Sequence, residues 1–277
     1  MNDNKIPLAG VIGCPVAHSK SPQLQRHWLK AHGIAGHYVP MHVEPEDLET
    51  VIRTLPKAGF VGANVTIPHK EAVMEIADKV TDRAKLMGAA NTMIFRSDGS
   101  ILADNTDGYG FIKNLQQGAP DWDPSSGPAV VLGAGGACRA VVASLLEAGT
   151  PEILLTNRTR GRAEQLQKEF GKRIQVADWV QAGNIIEEGI LLVNTTSLGM
   201  VGNSRLRVPL DGLRPDMVVT DLIYTPLKTD LLQTAEEVGC TVVDGLGMLL
   251  HQAVPGFERW FGQRPNVDEA TREAALA

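Results

Sequence analysis

Lys70 and Asp107 are the two side chains whose pairing would do chemistry most directly. A ketone under reduction needs a proton donor beside its oxygen as hydride reaches its carbon, and a lysine held by a carboxylate fills that role. Lys70 closes the stretch Asn64-Val65-Thr66-Ile67-Pro68-His69-Lys70, which runs off the end of a strand-like segment. Ligands in open parallel sheets bind beyond the carboxyl ends of strands, so Thr66 and Lys70 fall where a ligand would be met. Asn91-Thr92 precedes one strand of a hairpin, and Asn105-Thr106-Asp107-Gly108 follows the other. Singly, Asp107 reads equally well as a helix N-cap and Asn91 as a turn residue. Together they gather an amine, a carboxylate and several neutral donors. In His18-Ser19-Lys20-Ser21-Pro22, an extended backbone would turn the hydroxyls of Ser19 and Ser21 to one side. They precede a helix N-terminus, a favourable place for a small carboxylate, although Ser21 reads as well as a simple cap.

A second constellation is Gly133-Ala134-Gly135-Gly136-Ala137-Cys138, set between an apolar strand and a helix. Gly133 permits a tight turn, and Gly135 lets backbone approach a pyrophosphate that the helix N-terminus favours. Cys138 occupies the third small position. Downstream, the second strand of the unit ends at Asn157-Arg158-Thr159, with Arg162 one turn on. NAD-binding folds place an acid there to accept from the ribose 2′-hydroxyl, whereas arginine matches a 2′-phosphate. NADP is therefore expected over NAD; the alternative is that Arg158 and Arg162 are solvated surface charges.

The elements that must position these groups alternate between strand and helix. Expected strands are Leu8 to Ile12, Tyr38 to Val43, Gly62 to Ile67, a hairpin of Thr92 to Phe95 with Ile101 to Ala103, then Ala129 to Leu132, Glu152 to Thr156, Ile190 to Val193, Met217 to Thr220 and Thr241 to Val243. Helices are expected from Ser21 to Gly33, over Pro45 to Leu55, over Lys70 to Lys79 and from the glycine cluster to about Ala148. Such alternation predicts an α/β chain with mostly parallel sheet and helices on both faces. The segment from Gln117 to Pro128, rich in Pro, Gly, Ser and Asp, is the best linker-like stretch.

The whole chain sets outer bounds. Its 277 residues suit one large or two medium domains, and its net charge of −6 argues against a general nucleic-acid or anionic-membrane binder. Three scattered cysteines, Cys14, Cys138 and Cys240, form no C-x-x-C pair, so neither a disulfide framework nor a structural zinc site is expected. Neither His18 nor His69 is spaced for a metal, and no metal site is expected. With no signal peptide or membrane span legible, the expected location is cytoplasmic.

With these motifs in view, the sequence resembles the shikimate dehydrogenase family. The resemblance runs in order through Ser19-Lys20-Ser21-Pro22, Asn64 to Lys70, Gly88-Ala89-Ala90-Asn91-Thr92, Asn105 to Gly108, Gly133 to Ala137, Asn157-Arg158-Thr159, Asn194-Thr195-Thr196-Ser197-Leu198-Gly199, Asp221 to Leu227, and Asp244 to Leu249 with Gln252. It implies an N-terminal α/β substrate domain of residues 1–107 and 245–277, and a Rossmann-like NADP-binding domain of residues 108–244, with a C-terminal helix returning to the first. It implies that Ser19 and Ser21 hold the substrate carboxylate, that Lys70 and Asp107 are the catalytic pair with Lys70 the proton donor, and that Thr66, Asn91, Tyr224 and Gln252 contact substrate hydroxyls or carboxylate. For the cofactor it implies Gly133, Ala134, Gly135, Gly136 and Ala137 at the pyrophosphate, Asn157, Arg158, Thr159 and Arg162 at the adenosine phosphate, Thr195, Leu222 and Gly245 along the nicotinamide half, and Asp82 on the cofactor side. The implied reaction is NADPH-linked reduction of 3-dehydroshikimate to shikimate; a small-molecule substrate, no nucleic-acid or membrane partner, and a monomer or homodimer are expected. Three rivals remain open: a quinate/shikimate dehydrogenase with broader substrate or NAD use, a non-catalytic dinucleotide sensor, and a hydride enzyme for another cyclic hydroxy acid.

Overall fold

The four central strands of the second half of the chain are buried on both faces, and this dictates how that half is built. In the computed structural model, which describes residues 6–277, the chain divides into two units: residues 1–106 with 250–277, and residues 107–249.

The first unit contains β1 (Leu8–Gly13), α1 (Ser21–Ala31), β2 (His37–His42), α2 (Leu48–Thr54), β3 (Phe60–Val65), α3 (Val73–Ile76), β4 (Lys79–Val80), α4 (Asp82–Met87), β5 (Thr92–Phe95) and β6 (Ile101–Asp104). Its sheet has the order β2-β1-β3-β5-β6-β4. β1 pairs in parallel with β2 and β3, whereas β5 runs antiparallel to both β3 and β6. β4 pairs in parallel with β6, so the sheet is parallel apart from β5, the one strand that runs against its two neighbours. The hairpin responsible for this turns at Asp98-Gly99, where Gly99 has φ +84° and Asp98 accepts from the Ser100 N–H.

The expected helix over Lys70 to Lys79 is cut to the single turn α3. The Lys70 carbonyl accepts from the Ala90 N–H at 2.7 Å, and the Met74 N–H goes instead to Glu71. An acceptor taken from outside cannot start a helical ladder, and Lys79–Val80 pairs with β6. The expected helix from Pro45 begins as a 3-10 turn, Pro45–Asp47, that passes into α2 at Leu48.

The second unit contains α5 (Asp107–Gly118), β7 (Ala129–Leu132), α6 (Gly136–Ala148), β8 (Ile153–Thr156), α7 (Arg160–Phe170), β9 (Ile174–Ala177), α8 (Ala182–Ile186), β10 (Leu191–Asn194), β11 (Val218–Asp221), α9 (Asp230–Val238) and β12 (Thr241–Val243). Gln117 to Pro128, linker-like by composition, joins α5 to β7 inside this unit. All six strands are parallel, in the order β12-β11-β10-β7-β8-β9. Counted from β7 this is 3-2-1-4-5-6 read from the other edge, the doubly wound dinucleotide-binding order. Ala129 and Val131 of β7 pack into one core with Val141 and Leu145 of α6. Val130 and Leu132 face the opposite core, with Ile186 of α8 and Leu231 of α9. A strand buried on both faces reads as a continuous apolar run.

The division between units falls within α10 (Leu246–Phe261), and α11 (Glu269–Leu276) completes the first unit. Trp28 of α1 anchors both helices there: its ring lies edge-on to Phe257 at 5.5 Å, and its Nε1 donates to Thr271.

Candidate functional site

In the first unit, the polar candidates gather where β1, β3 and β5 meet their loops. Lys20 adopts a right-handed helical conformation (φ −80°, ψ −12°), so Ser19 and Ser21 are not brought to one side by extension. A turn joins them instead, with the Ser21 N–H donating to Ser19 Oγ at 3.3 Å. Ser21 is the first residue of α1 rather than its cap; Lys20 holds that place without a side-chain hydrogen bond. The Ser21 hydroxyl is also within reach of the buried Tyr38 hydroxyl, whose own pKa burial drives far up. Tyr38 Oη donates to Asn64 Oδ1 at 2.6 Å.

Asn64 and Asn91 form the rear of this cluster. Asn64 Nδ2 donates to the Asn91 carbonyl, while Asn91 Oδ1 accepts from the Thr106 N–H and from the Thr92 hydroxyl. Asn91 Nδ2 donates to Gln252 Oε1 at 3.1 Å, and Thr106 Oγ1 donates to the Gln252 carbonyl at 2.8 Å. Gln252 of α10 is therefore gathered with Asn91, although 161 positions separate them. Thr66 follows β3 and is half-buried, as is Lys70; the Thr66 N–H donates to the Ile12 carbonyl. His69 is buried, with its Nε2 on the Val43 carbonyl at 2.8 Å, a structural role.

Asp104, which motif reading missed, holds the hairpin end that leads to Thr106. Its carboxylate takes two hydrogen bonds from Arg83, one from Thr81 and one from the Asn105 N–H, with Arg259 at 3.6 Å. Burial pushes this carboxyl up, but Arg83, Thr81 and the Arg259 charge outweigh it and hold it below the usual aspartate range. A buried aspartate at a strand end beside Asn-Thr was the only available signal. Asp82 lies in this unit, fully exposed at the start of α4 and 3.5 Å from Lys85.

In the second unit, Asp107 is the first residue of α5 and half-buried. The glycine turn follows β7, next to β10 in the sheet, where the strand order reverses. Its glycines divide into two kinds. Gly133 has φ +102°, and a Cβ there would stand 2.7 Å from Thr196 and 2.8 Å from Thr195. Thr195 Oγ1 donates back to the Leu132 carbonyl at 2.9 Å, with the Gly133 carbonyl 3.2 Å away, so the fold itself demands this glycine. Gly135 and Gly136 are otherwise: their φ angles suit any residue and a Cβ would meet nothing within 4 Å. What they keep clear is the approach to the first turn of α6, whose N-cap Gly135 supplies no side-chain hydrogen bond. An open backbone cradle at a helix N-terminus fits a pyrophosphate. Ala134 and Ala137 complete the turn.

Asn157 spans this cradle and the next loop: its Oδ1 accepts from the Ala134 N–H and its Nδ2 donates to the Thr159 carbonyl. Thr159 is the N-cap of α7, and Arg162 is exposed on that helix. Arg158 lines a cavity of about 470 Å³ together with Trp179, Ser197, Ser204, Arg205 and Arg207, and no residue lining it is acidic. Arg205 reaches Asp230 at 3.6 Å. Arg158 and Arg207 have no carboxylate partner among the described residues. A cavity walled by three guanidinium groups fits a phosphate dianion. Arg205 and Arg207 were missed in the sequence; their alternate spacing in Ser204-Arg205-Leu206-Arg207 gave a sign of a shared face, but nothing tied it to Arg158.

Leu222 follows β11 and Tyr224 is partly exposed two residues later. Gly245 lies so close to the Leu222 carbonyl that a Cβ would stand 2.4 Å from it. Burial pushes the Cys138 thiol up to about 12, so it fills the third small position as an inert packing group.

Three family models match the chain: "Shikimate dehydrogenase substrate binding domain" over residues 11–93, "Shikimate / quinate 5-dehydrogenase" over 120–206 and "Shikimate 5'-dehydrogenase C-terminal domain" over 245–276. The chain is 74% identical, over 276 residues and the full length of both proteins, to a protein named shikimate dehydrogenase (NADP(+)) in Ruegeria sp. (strain TM1040). It is similar to the solved structure of shikimate 5-dehydrogenase from Thermus thermophilus in complex with NADP(H) and shikimate, with 37% identity, a TM-score of 0.85 and 98% of each chain covered. It is also similar to a quinate dehydrogenase from Corynebacterium glutamicum in complex with NAD, with 29% identity, a TM-score of 0.91 and 99% of each covered. One backbone thus serves different cofactors among relatives, which leaves side chains to choose.

Proposed function

Because the chain belongs to the shikimate dehydrogenase family, we propose that it catalyses the reversible NADPH-linked reduction of 3-dehydroshikimate to shikimate. The observation that carries the cofactor half is the cavity beside the open glycine cradle, with Arg158, Arg205 and Arg207 on its walls and no acid. An acid reading a free ribose 2′-hydroxyl would suit NAD; guanidinium groups suit the 2′-phosphate of NADP. Gly133, Ala134, Gly135, Gly136 and Ala137 receive the pyrophosphate, and Asn157 fixes the turn between cradle and cavity. Arg158 takes the 2′-phosphate with Arg205 and Arg207, with Thr159 and Arg162 at its rim. Thr195, Leu222 and Gly245 border the nicotinamide half, and Asp82 is a further cofactor-side residue.

The first unit takes the acid. Ser19 and Ser21 bind its carboxylate, while Thr66, Asn91 and Gln252, with Tyr224 of the second unit, bind carboxylate or ring hydroxyls. Bound NADPH supplies the hydride to the ketone carbon. Lys70 transfers an ammonium proton to the ketone oxygen, so that the carbonyl becomes a hydroxyl and Lys70 is left neutral, to be reprotonated from water. Asp107 holds the ammonium and favours its charged form.

Initial rates with NADP+ and NAD+, each against shikimate, quinate and no acid, test this reading. Shikimate with NADP+ should dominate; a preference for quinate or NAD+ would replace it with the broader dehydrogenase. Lys70→Ala should lower kcat at least about a hundredfold while leaving NADPH affinity nearly unchanged, the scale of a lost general acid. Near-normal turnover in that variant would remove Lys70 from the mechanism.

A further inference from the structure

Cys14, His42 and Glu44 stand outside the machinery described above, yet their donor atoms converge on the surface of the first unit. Cys14 Sγ lies 3.6 Å from His42 Nε2 and donates to Glu44 Oε2 at 3.3 Å, and His42 Nε2 lies 3.0 Å from Glu44 Oε1. The sheet creates this triangle. Gly13 of β1 pairs with His42 of β2, so Cys14 emerges beside the end of β2. The Val43 N–H donates to the Gly13 carbonyl and holds the two exits together. His42 and Glu44, two apart along extended backbone, turn to the same side.

We propose that Cys14, His42 and Glu44 bind a zinc ion, with water as its fourth ligand. A tetrahedral zinc with bonds of about 2.3 Å to sulfur and about 2.0–2.1 Å to nitrogen and oxygen sets its ligand atoms about 3.3–3.5 Å apart. Sγ stands 3.6 Å from Nε2 and 3.3 Å from Oε2, while Nε2 stands 3.0 Å from Oε1, so Glu44 faces its two neighbours with different oxygens, and one donor atom from each residue lies within 4.8 Å of the others. The hydrogen bonds that already link the three side chains hold them within reach of one cation, with the Glu44 carboxylate turning so that one oxygen meets the metal. Thiolate and imidazole select zinc or its spectroscopic substitute cobalt over magnesium and calcium, which take oxygen donors. The site is open to solvent: His42 and Glu44 are exposed and Cys14 is half-buried. On binding, the Cys14 thiol forms a bond to the metal and releases its proton to the buffer, so metal uptake is coupled to proton release. Glu44 raises the thiol's pKa in the metal-free protein, while His42 and Cys14 hold the Glu44 carboxyl low; a central cation replaces the protons these groups share.

The test is titration of the untagged, full-length protein with Co2+, read by absorption. The expected result is a near-ultraviolet sulfur-to-cobalt charge-transfer band with visible bands of tetrahedral intensity, saturating at one equivalent and discharged by Zn2+. Cys14→Ser should abolish the charge-transfer band, and His42→Ala and Glu44→Gln should each weaken Co2+ binding at least about tenfold. Far-ultraviolet circular dichroism of each metal-free variant checks folding; should Cys14→Ser fail to fold, the His42 and Glu44 variants decide. Absence of the band, its persistence in Cys14→Ser, or undiminished binding in both His42→Ala and Glu44→Gln would overturn the site.

Discussion

Two glycines two residues apart separate what the fold needs from what a ligand needs. Gly133→Ala forces a side chain into the left-handed region, at about 1–2 kcal/mol, and drives Cβ against Thr195 and Thr196. It should lower stability in a urea titration. Gly135→Ala meets neither strain nor neighbours, so stability should stay within about 0.5 kcal/mol of the parent. Its NADPH affinity should nonetheless fall at least about tenfold, the loss of one charge-assisted hydrogen bond at the cradle. Equal NADPH affinity in that variant would remove the pyrophosphate from this turn. Asp104 allows a prediction in pH. Its carboxyl is lowered on folding, so the unfolded chain binds the extra proton. Its contribution is present above the unfolded value of about 3.9 and drains away as pH falls through the folded value. Asp104→Asn should therefore cost about 2 kcal/mol at neutral pH and progressively less below about pH 4, in urea titrations across that range. Asp221 carries the opposite sign: burial raises its carboxyl against neutral donors from Ile223, Thr229 and Asn194, and its folded form loses stability as pH rises through that value. Glycines and arginines in motifs were legible in the sequence because their chemistry is carried by residue type. Asp104, Arg205, Arg207 and the Cys14 triangle were not, because their partners come from other strands and loops and no local spacing encodes them.

The four central strands of the second unit are legible because each is a short apolar run bounded by turn residues, and burial on both faces makes such a run unmistakable; the edge strand β9 was not expected, because exposed Gln175 breaks its run. The region from Lys70 to Lys79 departs from its expected helix for a physical reason: helical periodicity says nothing about the Ala90 N–H that takes the Lys70 carbonyl. The antiparallel run of β5 in the first sheet was half visible, since the hairpin was expected but not its insertion between β3 and β4. Nor could any period announce how closely α10 packs on β3. A Cβ at Gly62 would lie 2.0 Å from Trp260 Nε1 and 2.3 Å from the Met93 carbonyl, the two atoms that hydrogen-bond to each other at 3.0 Å. Both are buried backbone or aromatic groups with nowhere to retreat. Gly62→Ala should cost about 3 kcal/mol through overpacking and the broken indole bond. Urea unfolding of Gly62→Ala and of Gly62→Ala/Trp260→Phe checks the cause. The double variant should be less destabilised than the sum of the two single changes, and strict additivity would place the strain elsewhere.

At the scale of the whole molecule the two units differ in how the chain supplies them. Residues 107–249 form an unbroken stretch, whereas the first unit combines 1–106 with 250–277. The second unit also carries a complete sheet with a core on each face, which is the requirement for folding alone. The first unit lacks that independence: Trp28 packs on Phe257 and donates to Thr271, and Trp260 donates to Met93, so its N-terminal piece leaves aromatic surface and a buried carbonyl exposed without the C-terminal helices. A return of the chain to its first unit is invisible to periodicity, and only the family resemblance suggested it. A fragment of residues 107–249 should therefore unfold cooperatively and retain NADPH binding, because the glycine cradle and the arginine cavity lie wholly within it. It should turn over no shikimate, since Lys70 and the serines are absent. A fragment of residues 1–106 should be largely unfolded and should regain structure when a peptide of residues 250–277 is added. Circular dichroism with denaturant titration reads the folding of each piece, and NADPH fluorescence reads cofactor binding. A second unit that folds yet ignores NADPH would show that the cofactor site draws on residues outside 107–249, and would remove the arginine cavity as its principal anchor.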